Sequence, residues 1–329
     1  MEFGGSVILL GDIGGTHSRF AFAGSDGRPQ RIKVIDNDQV ADLETAIARY
    51  LEEMGVRPRA AVLAIAAPIG EEEEIALTNR AWRFRRSALI EHFGLSALRV
   101  VNDFEAIAWA LPRLTEADAR PLGRPVAPGD GVKLALGPGT GLGVAALALA
   151  DGRRFVVPSE GGHALFGPQT DDEFAVYRRL MYEHGSVSAE TILSGPGLVR
   201  LLRAVDSESP YDAPEAVVAA ALAGEASAGM AVRLFVRLLG RFAGGLALTF
   251  KALGGVYIAG GVASRFGPLL DEHVFRAAFE AHPPYQKLLA GVATLLMSRT
   301  EPGLLGCCAL AEELEVELST LPEEDLRPS

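Results

Sequence analysis

Two short glycine-rich segments, each set between apolar runs, constrain this chain more than any other feature. GDIGGT (residues 11–16) lies between the runs 7–10 and 18–23, and GPGTG (residues 137–141) lies between 132–136 and 142–150. Each reads as strand, tight turn, strand. Both carry Leu-Gly ahead of the turn and Gly-Thr inside it. They stand about 125 residues apart, whereas solenoid units repeat every ~20–50 residues. The pattern therefore predicts a duplicated α/β lobe rather than a repeat array.

The rest of the pattern fits two lobes. Residues 30–35, 61–66 and 98–101 read as strands, the last two apolar enough to be buried on both faces. Residues 39–54 have helical period, with Leu43, Ile47, Tyr50 and Leu51 on one face. EEEE at 71–74 reads as a solvated turn. A stretch rich in Pro, Gly and charge at 112–131 marks a boundary. Beyond it, 153–157, 256–259 and 294–297 read as strands. Helices are expected at 171–183, 189–192, 197–204, 214–222, 225–252, 265–280 and 302–318. The last starts with Pro and can return to the first lobe. The expected domains are a small α/β lobe, 1–112 plus 302–329, and a large α+β lobe, 113–301.

Composition narrows the function. The 329 residues are 49% hydrophobic and 22% charged, as in soluble globular proteins. A net charge of −11 and a pI near 5.1 disfavour nucleic acid, which needs a basic stripe. The same field repels ATP, so an ATP site here must be built locally, from backbone N–H groups and a divalent cation. The two cysteines, Cys307 and Cys308, are adjacent and read as small buried hydrophobes, not as a disulfide framework or zinc cluster. The N-terminus has no basic region ahead of its apolar run, so no signal peptide is expected. The apolar stretch 242–263 is broken by Lys251 and six glycines, and reads as a buried helix and strand, not a membrane span. A cytoplasmic protein is expected.

Five constellations can carry chemistry. In GDIGGT, Gly11, Ile13, Gly14 and Gly15 let backbone approach a ligand, Thr16 adds a hydroxyl, and Asp12 can hold Mg2+ through water. In GPGTGLG, Gly139 and Thr140 form a second phosphate-type turn. VYIAGG (256–261) ends a buried strand in Gly260-Gly261, which suits adenosine or an α-phosphate. Asn102 and Asp103 end another buried strand, where a carboxylate can take the proton of an attacking hydroxyl or cap the next helix. SEGGH (159–163) places Glu160 and His163 around a Gly-Gly turn, a pair suited to vicinal hydroxyls. Glu190 follows Ser188, which reads as an N-cap, so it is also placed to serve the helix dipole.

The order of these motifs resembles the bacterial glucokinase family, in the group without a zinc-binding cysteine cluster. The resemblance spans nearly the whole chain: GDIGGTHSR, IAAPIG, TNRAW, VVNDFEAIAWA, LGPGTGLGV, SEGGH, SAETILSGPGLV, GRFAGGLAL, VYIAGGV and EPGLLG. It implies the two-lobed actin-like (ribonuclease H-like) ATPase fold with a central cleft, and ATP with Mg2+ as cofactors. It implies transfer of the γ-phosphoryl group to the 6-hydroxyl of glucose, and a homodimer without nucleic-acid or membrane partners. Asp103 would be the catalytic base. Asn102, Asp103, Glu160, His163 and Glu190 would bind the sugar, and residues 11–16 the ATP phosphates.

Three departures stand out. His17 replaces the usual Asn beside the first turn, Pro138 removes an N–H from the second, and Arg85-Arg86 form a basic spot on an acidic chain. Alternatives from other classes are a kinase for a related hexose, a glucose-binding regulator without turnover, a filament-forming ATPase, and a kinase for an acidic substrate. The last would want Arg near Glu160, where carboxylates stand.

Overall fold

The computed structural model describes residues 7–261 and 265–320. Contacts divide the chain into two compact units, one drawn from Met1–Arg113 with Thr300–Ser329 and the other from Leu114–Arg299.

The first unit is built on a sheet of β1 (Ile8–Ile13), β2 (His17–Ala23), β3 (Pro29–Asp36), β4 (Ala60–Ile65) and β7 (Ala97–Asn102), in the order β3-β2-β1-β4-β7. β1 to β3 form an antiparallel meander, and β4 and β7 run parallel to β1. Strand alternation sorts the side chains onto two faces. Leu9, Ile13, Phe20, Leu63 and Ile65 pack with α1 (Leu43–Met54), and Ile8, Leu10, Val62 and Ala64 pack with the C-terminal helix Pro302–Thr320. β4 has no polar residue because both of its faces are covered. Asp42 caps α1, accepting the Thr45 N–H at 2.8 Å, and Gly55 ends it at φ 64°.

The EEEE run holds a finding. Glu74 opens a small hairpin of β5 (Glu74–Ala76) and β6 (Arg83–Arg85). Glu73 accepts the Ser87 N–H at 2.8 Å near the start of α2 (Arg86–Phe93), so part of the expected solvated turn supports a helix. α3 (Asp103–Ala110) follows β7 directly.

The second unit repeats the scheme. β9 (Lys133–Pro138), β10 (Leu142–Ala150) and β11 (Arg153–Ser159) form an antiparallel meander, and β12 (Val256–Ile258) and β13 (Thr294–Met297) add to it in parallel. The order β11-β10-β9-β12-β13 matches that of the first sheet, with β8 (Ala119–Pro121) appended at the edge. The duplication expected from the two glycine turns is thus present in the topology. One face of this sheet carries α4 (Asp171–His184), α5 (Ala189–Ile192), α6 (Gly195–Val205), α7 (Pro214–Leu222) and α8 (Ala226–Thr249) around one large core.

α8 packs closely on the helix Glu272–Glu280. A Cβ at Gly240 or Gly244 would overlap the carbonyls of Phe275 and Phe279. Arg241, on the same helix, is buried and pairs with buried Glu173 of α4 at 2.5 Å. The helix expected over 265–280 is instead a 3-10 turn at Gly267–Leu269 and a helix starting after Asp271, with 262–264 outside the described residues. Pro268 sits in the turn, and Asp271 caps the helix by accepting from His273 and Val274. Both cysteines are buried and free, as expected. Among the described residues no single helix is long and apolar enough to cross a membrane. α7 and α8 together pass on length and composition, but they bend by 113° and contribute many residues to the core.

Candidate active site

In the first unit, the sheet register brings the motif residues to one edge. β1, β4 and β7 are parallel, and Ile13, Ile65 and Asn102 align across them. GDIGGT and Asn102-Asp103 therefore sit at the same edge, at the C-terminal ends of β1 and β7 on either side of β4, the position where open α/β sheets bind ligands.

The first glycine turn is tied down through its carbonyls. Gly14 N–H closes on His17 O at 3.1 Å. Asn37 Nδ2 donates to Gly14 O at 2.8 Å and Gly15 O at 3.3 Å, and its backbone N–H donates to Thr16 O at 2.9 Å. Ser18 holds the Asn37 amide through Oδ1 at 2.7 Å, and Arg80 donates to Gly15 O at 3.2 Å and to Asn37 O. The N–H groups of Gly15 and Thr16 find no acceptor among the described residues. A turn with its carbonyls satisfied and two adjacent N–H groups open is an anion cradle. Asn37 and Arg80 escaped the sequence reading as site residues, although Arg80 lies in the TNRAW motif. His17 is exposed on β2, beside the turn.

Asn102, not Asp103, caps α3: its Oδ1 accepts the Phe104 N–H at 2.9 Å, while its Nδ2 donates to Ala67 O at 3.0 Å. Asp103 is the first helical residue, and its Oδ1 also accepts from Phe104 N–H. Burial, and secondly the negative charge of Asp12, push the Asp103 carboxyl up to about 7, against the lowering pull of the helix N–H groups and Asn102. Asp12 is raised too, by burial above all. Arg19 opposes that from 3.9 Å, and the charge of Glu301 adds to it.

In the second unit, the turn 137–141, the SEGGH turn and Glu190 converge. Gly139 N–H bonds Gly141 O at 2.8 Å, leaving the N–H groups of Thr140 and Gly141 without an acceptor among the described residues. Pro138 is the last residue of β9, where it faces Leu142 of β10, and its missing N–H lies outside this open pair. Gly260 approaches the same turn. Its φ is 90°, and a Cβ there would stand 2.5 Å from Pro138 O, so close backbone approach requires glycine. Gly261 follows it, outside β12.

Gly162 packs bare backbone on the start of β10; a Cβ would overlap Leu142 O. The next residues pair with 187–189, through Phe166 N–H to Val187 O and Ala189 N–H to Ala164 O. That pairing sets the short α5, capped by Ser188, beside the turn. Glu190 in its first turn accepts the Leu142 N–H at 2.9 Å. His163 Nε2 lies 4.0 Å from Oε2 of both Glu160 and Glu190. Glu160 and His163 are 64% and 62% exposed and Glu190 32%, so ligand hydroxyls can reach all three.

The comparisons agree with one another. The glucokinase family profile matches residues 9–314. A glucokinase from Yersinia enterocolitica is 40% identical over 311 residues, covering 92% of this chain and 96% of the relative. The crystal structure of a glucokinase from an Antarctic psychrotroph superposes with a TM-score of 0.84 at 30% identity, covering 94% of this chain and 99% of that one. A Balamuthia mandrillaris glucokinase solved with glucose shares the fold, with a TM-score of 0.77 at 24% identity over 93% and 94% of the two chains.

Proposed function

Since this chain belongs to the glucokinase family of ATP-dependent hexose kinases, with the actin-like ATPase fold, we propose that Asp103 is the base that takes the proton of the glucose 6-hydroxyl. The observation that carries this role is the place of the carboxyl, just past the C-terminal end of β7 at the start of α3, where burial and the charge of Asp12 push its pKa up to about 7, near the pH at which a general base is most effective. Asn102 orients it. Its Oδ1 and Nδ2 are bonded to Phe104 and Ala67, and the amide's remaining hydrogen is shared between the Asp103 carboxyl, whose pKa it lowers, and the sugar.

Glu160, His163 and Glu190 supply the remaining sugar contacts. The 4.0 Å gaps around His163 are too long for direct hydrogen bonds. They leave the imidazole and both carboxylates available to hydroxyl groups. Water can replace a missing hydroxyl at Glu160 and His163, so an analogue lacking one should be rejected most where it meets Glu190, the least exposed of the three.

The open N–H groups of Gly15, Thr16, Thr140 and Gly141, with the hydroxyls of Thr16 and Thr140, are the phosphate ligands. Gly260 and Gly261 serve the adenosine end. Asp12 fits Mg2+: its carboxyl is desolvated, and its cation neighbour Arg19 stands off at 3.9 Å. Among the described residues no group of three metal-ligating side chains exists. Asp12 would thus hold Mg2+ together with water and phosphate oxygens, as this ion prefers. When bound, the ion neutralises charge on the phosphoryl group. The protein's own share is positioning: Asp103 aligns the hydroxyl, its oxygen forms the new P–O bond as the bond to ADP breaks, and the proton passes to Asp103. We place the reaction in the cytoplasm, in keeping with two free buried thiols, and propose a homodimer, which sedimentation would check.

The test is a coupled assay of phosphorylation with Mg·ATP on glucose, mannose, fructose and glucosamine. A strong preference for glucose is expected. Equal or better turnover of another hexose would reassign the substrate. Glucose binding by calorimetry without turnover on any sugar would replace the kinase with a binding regulator.

A further inference from the structure

One motif has no part in the chemistry so far: EPGLLG, residues 301–306, at the start of the C-terminal helix Pro302–Thr320. We infer that Gly303 is a positioning residue for the transfer reaction, its bare Cα forming the wall against which the Asp12 carboxylate is set. The inference rests on the proposal that Asp12 serves Mg·ATP.

A Cβ at Gly303 would stand 2.9 Å from Asp12 Cγ, 3.0 Å from Oδ2 and 3.2 Å from Oδ1. All three carboxylate atoms are nearly equidistant from that point, so the carboxylate lies flat on the glycine. Backbone conformation gives no reason for glycine here, because Gly303 is absent from the positive-φ residues. Glycine has a poorer helix propensity than alanine, so the vacant space over Asp12 is the physical reason for it here.

The same helix is also registered on the residue before Asp12 and on the helix that Asp103 opens. Cys307 Sγ donates to Gly11 O at 3.5 Å, and a Cβ at Gly306 would overlap Ala106 O of α3. The start of the helix thus meets Asp12 through one glycine and α3 through the other. Its N-terminal end also presents the positive end of the helix dipole to the carboxylate.

The experiment is Gly303→Ala, with Asp12→Ala and the double variant. Alanine favours the helix but must push the Asp12 carboxylate aside. The expected result for Gly303→Ala is a folded protein with kcat about tenfold or more below wild type. Its KM for glucose should stay within about threefold, its Mg2+ requirement should rise, and Mg·ADP should bind more weakly by calorimetry. In the Asp12→Ala background the clash is gone, so Gly303→Ala should bring no further loss of kcat and should raise the melting temperature. Wild-type kcat, Mg2+ requirement and Mg·ADP affinity in Gly303→Ala, beside a crippled Asp12→Ala, would overturn this inference and leave the role of Asp12 standing. Wild-type turnover in Asp12→Ala would overturn both. If Gly303→Ala alone fails to fold, a folded double variant supports the clash with Asp12, and an unfolded one refutes it.

Discussion

The carboxyl of Asp103 stands between two opposing influences, burial beside Asp12 on one hand and the first N–H groups of α3 on the other. Its folded pKa of about 7 lies above the ordinary carboxylate value of 3.8, so the folded chain holds this proton more tightly than the unfolded one. The stability linked to it is therefore full below pH 4 and is lost as pH rises through 7. Asp103→Asn removes that loss and should melt higher than wild type at pH 8, while kcat falls by about 10²–10⁴. Thermal melts and steady-state kinetics check both halves; turnover near wild type would remove Asp103 from the chemistry. In the wild type, kcat/KM for glucose should fall with acid below about pH 7, and a flat profile from pH 5.5 to 8 would contradict the assignment. The sequence displayed the Asn-Asp pair at a strand end but not the division of labour, since both residue types cap helices. Only the bonds to Phe104 and Ala67 make Asn102 the N-cap and Asp103 the first helical residue, which merely shares the Phe104 N–H through Oδ1.

At the scale of elements, the residues proposed to bind the sugar depend on a turn that has no side chain where it crosses β10. Gly162→Ala would drive the SEGGH turn off Leu142 O. The expected outcome is a rise of tenfold or more in KM for glucose and a loss of about 1–3 kcal/mol in stability, read by kinetics and urea unfolding. α4 and α8 are joined by a different device. Glu173 and Arg241 are both buried and meet at 2.5 Å, so Glu173→Ala leaves an unpaired buried cation and should cost about 3–5 kcal/mol in the same urea titration. Much of this level was legible. α7 and β13 lie where their apolar runs and the helix-starting Pro214 put them. β5, β6 and β8 were not, because each is three residues long with a single buried side chain and so shows neither a period nor the fully apolar run of β12. The helix expected over 265–280 failed at Gly267 and Pro268, whose turn chemistry outweighed the apolar period around them.

For the molecule as a whole, the two units differ in how the chain makes them. The second is one continuous segment with its own core, and its ends are tied together: Ser298 N–H donates to Asp118 O at 2.9 Å, and Arg299 pairs with Asp118 at the same distance. A fragment of residues 114–299 should fold alone, with a cooperative melt and helical circular dichroism, and should show no kinase activity. A fragment of residues 1–113 lacks the helix that covers Ile8, Leu10 and Val62, and should stay unfolded until a peptide of 300–329 is added. The duplicated plan was legible from the two glycine turns. The carbonyl-side rigging by Asn37 and Arg80 was not, because it joins residues that are distant in sequence through bonds that have no pattern.

The return of the C-terminal helix to the first sheet also sets a timetable for synthesis. Most of the first unit leaves the ribosome first, yet its apolar face at Ile8, Leu10 and Val62 waits for the last helix to emerge. The middle segment can close while that face is still bare. A chain released early by a nonsense codon before residue 302 would therefore carry a finished second unit and an open first one. It would be a natural client for chaperones and proteases, and it would never assemble the wall behind Asp12.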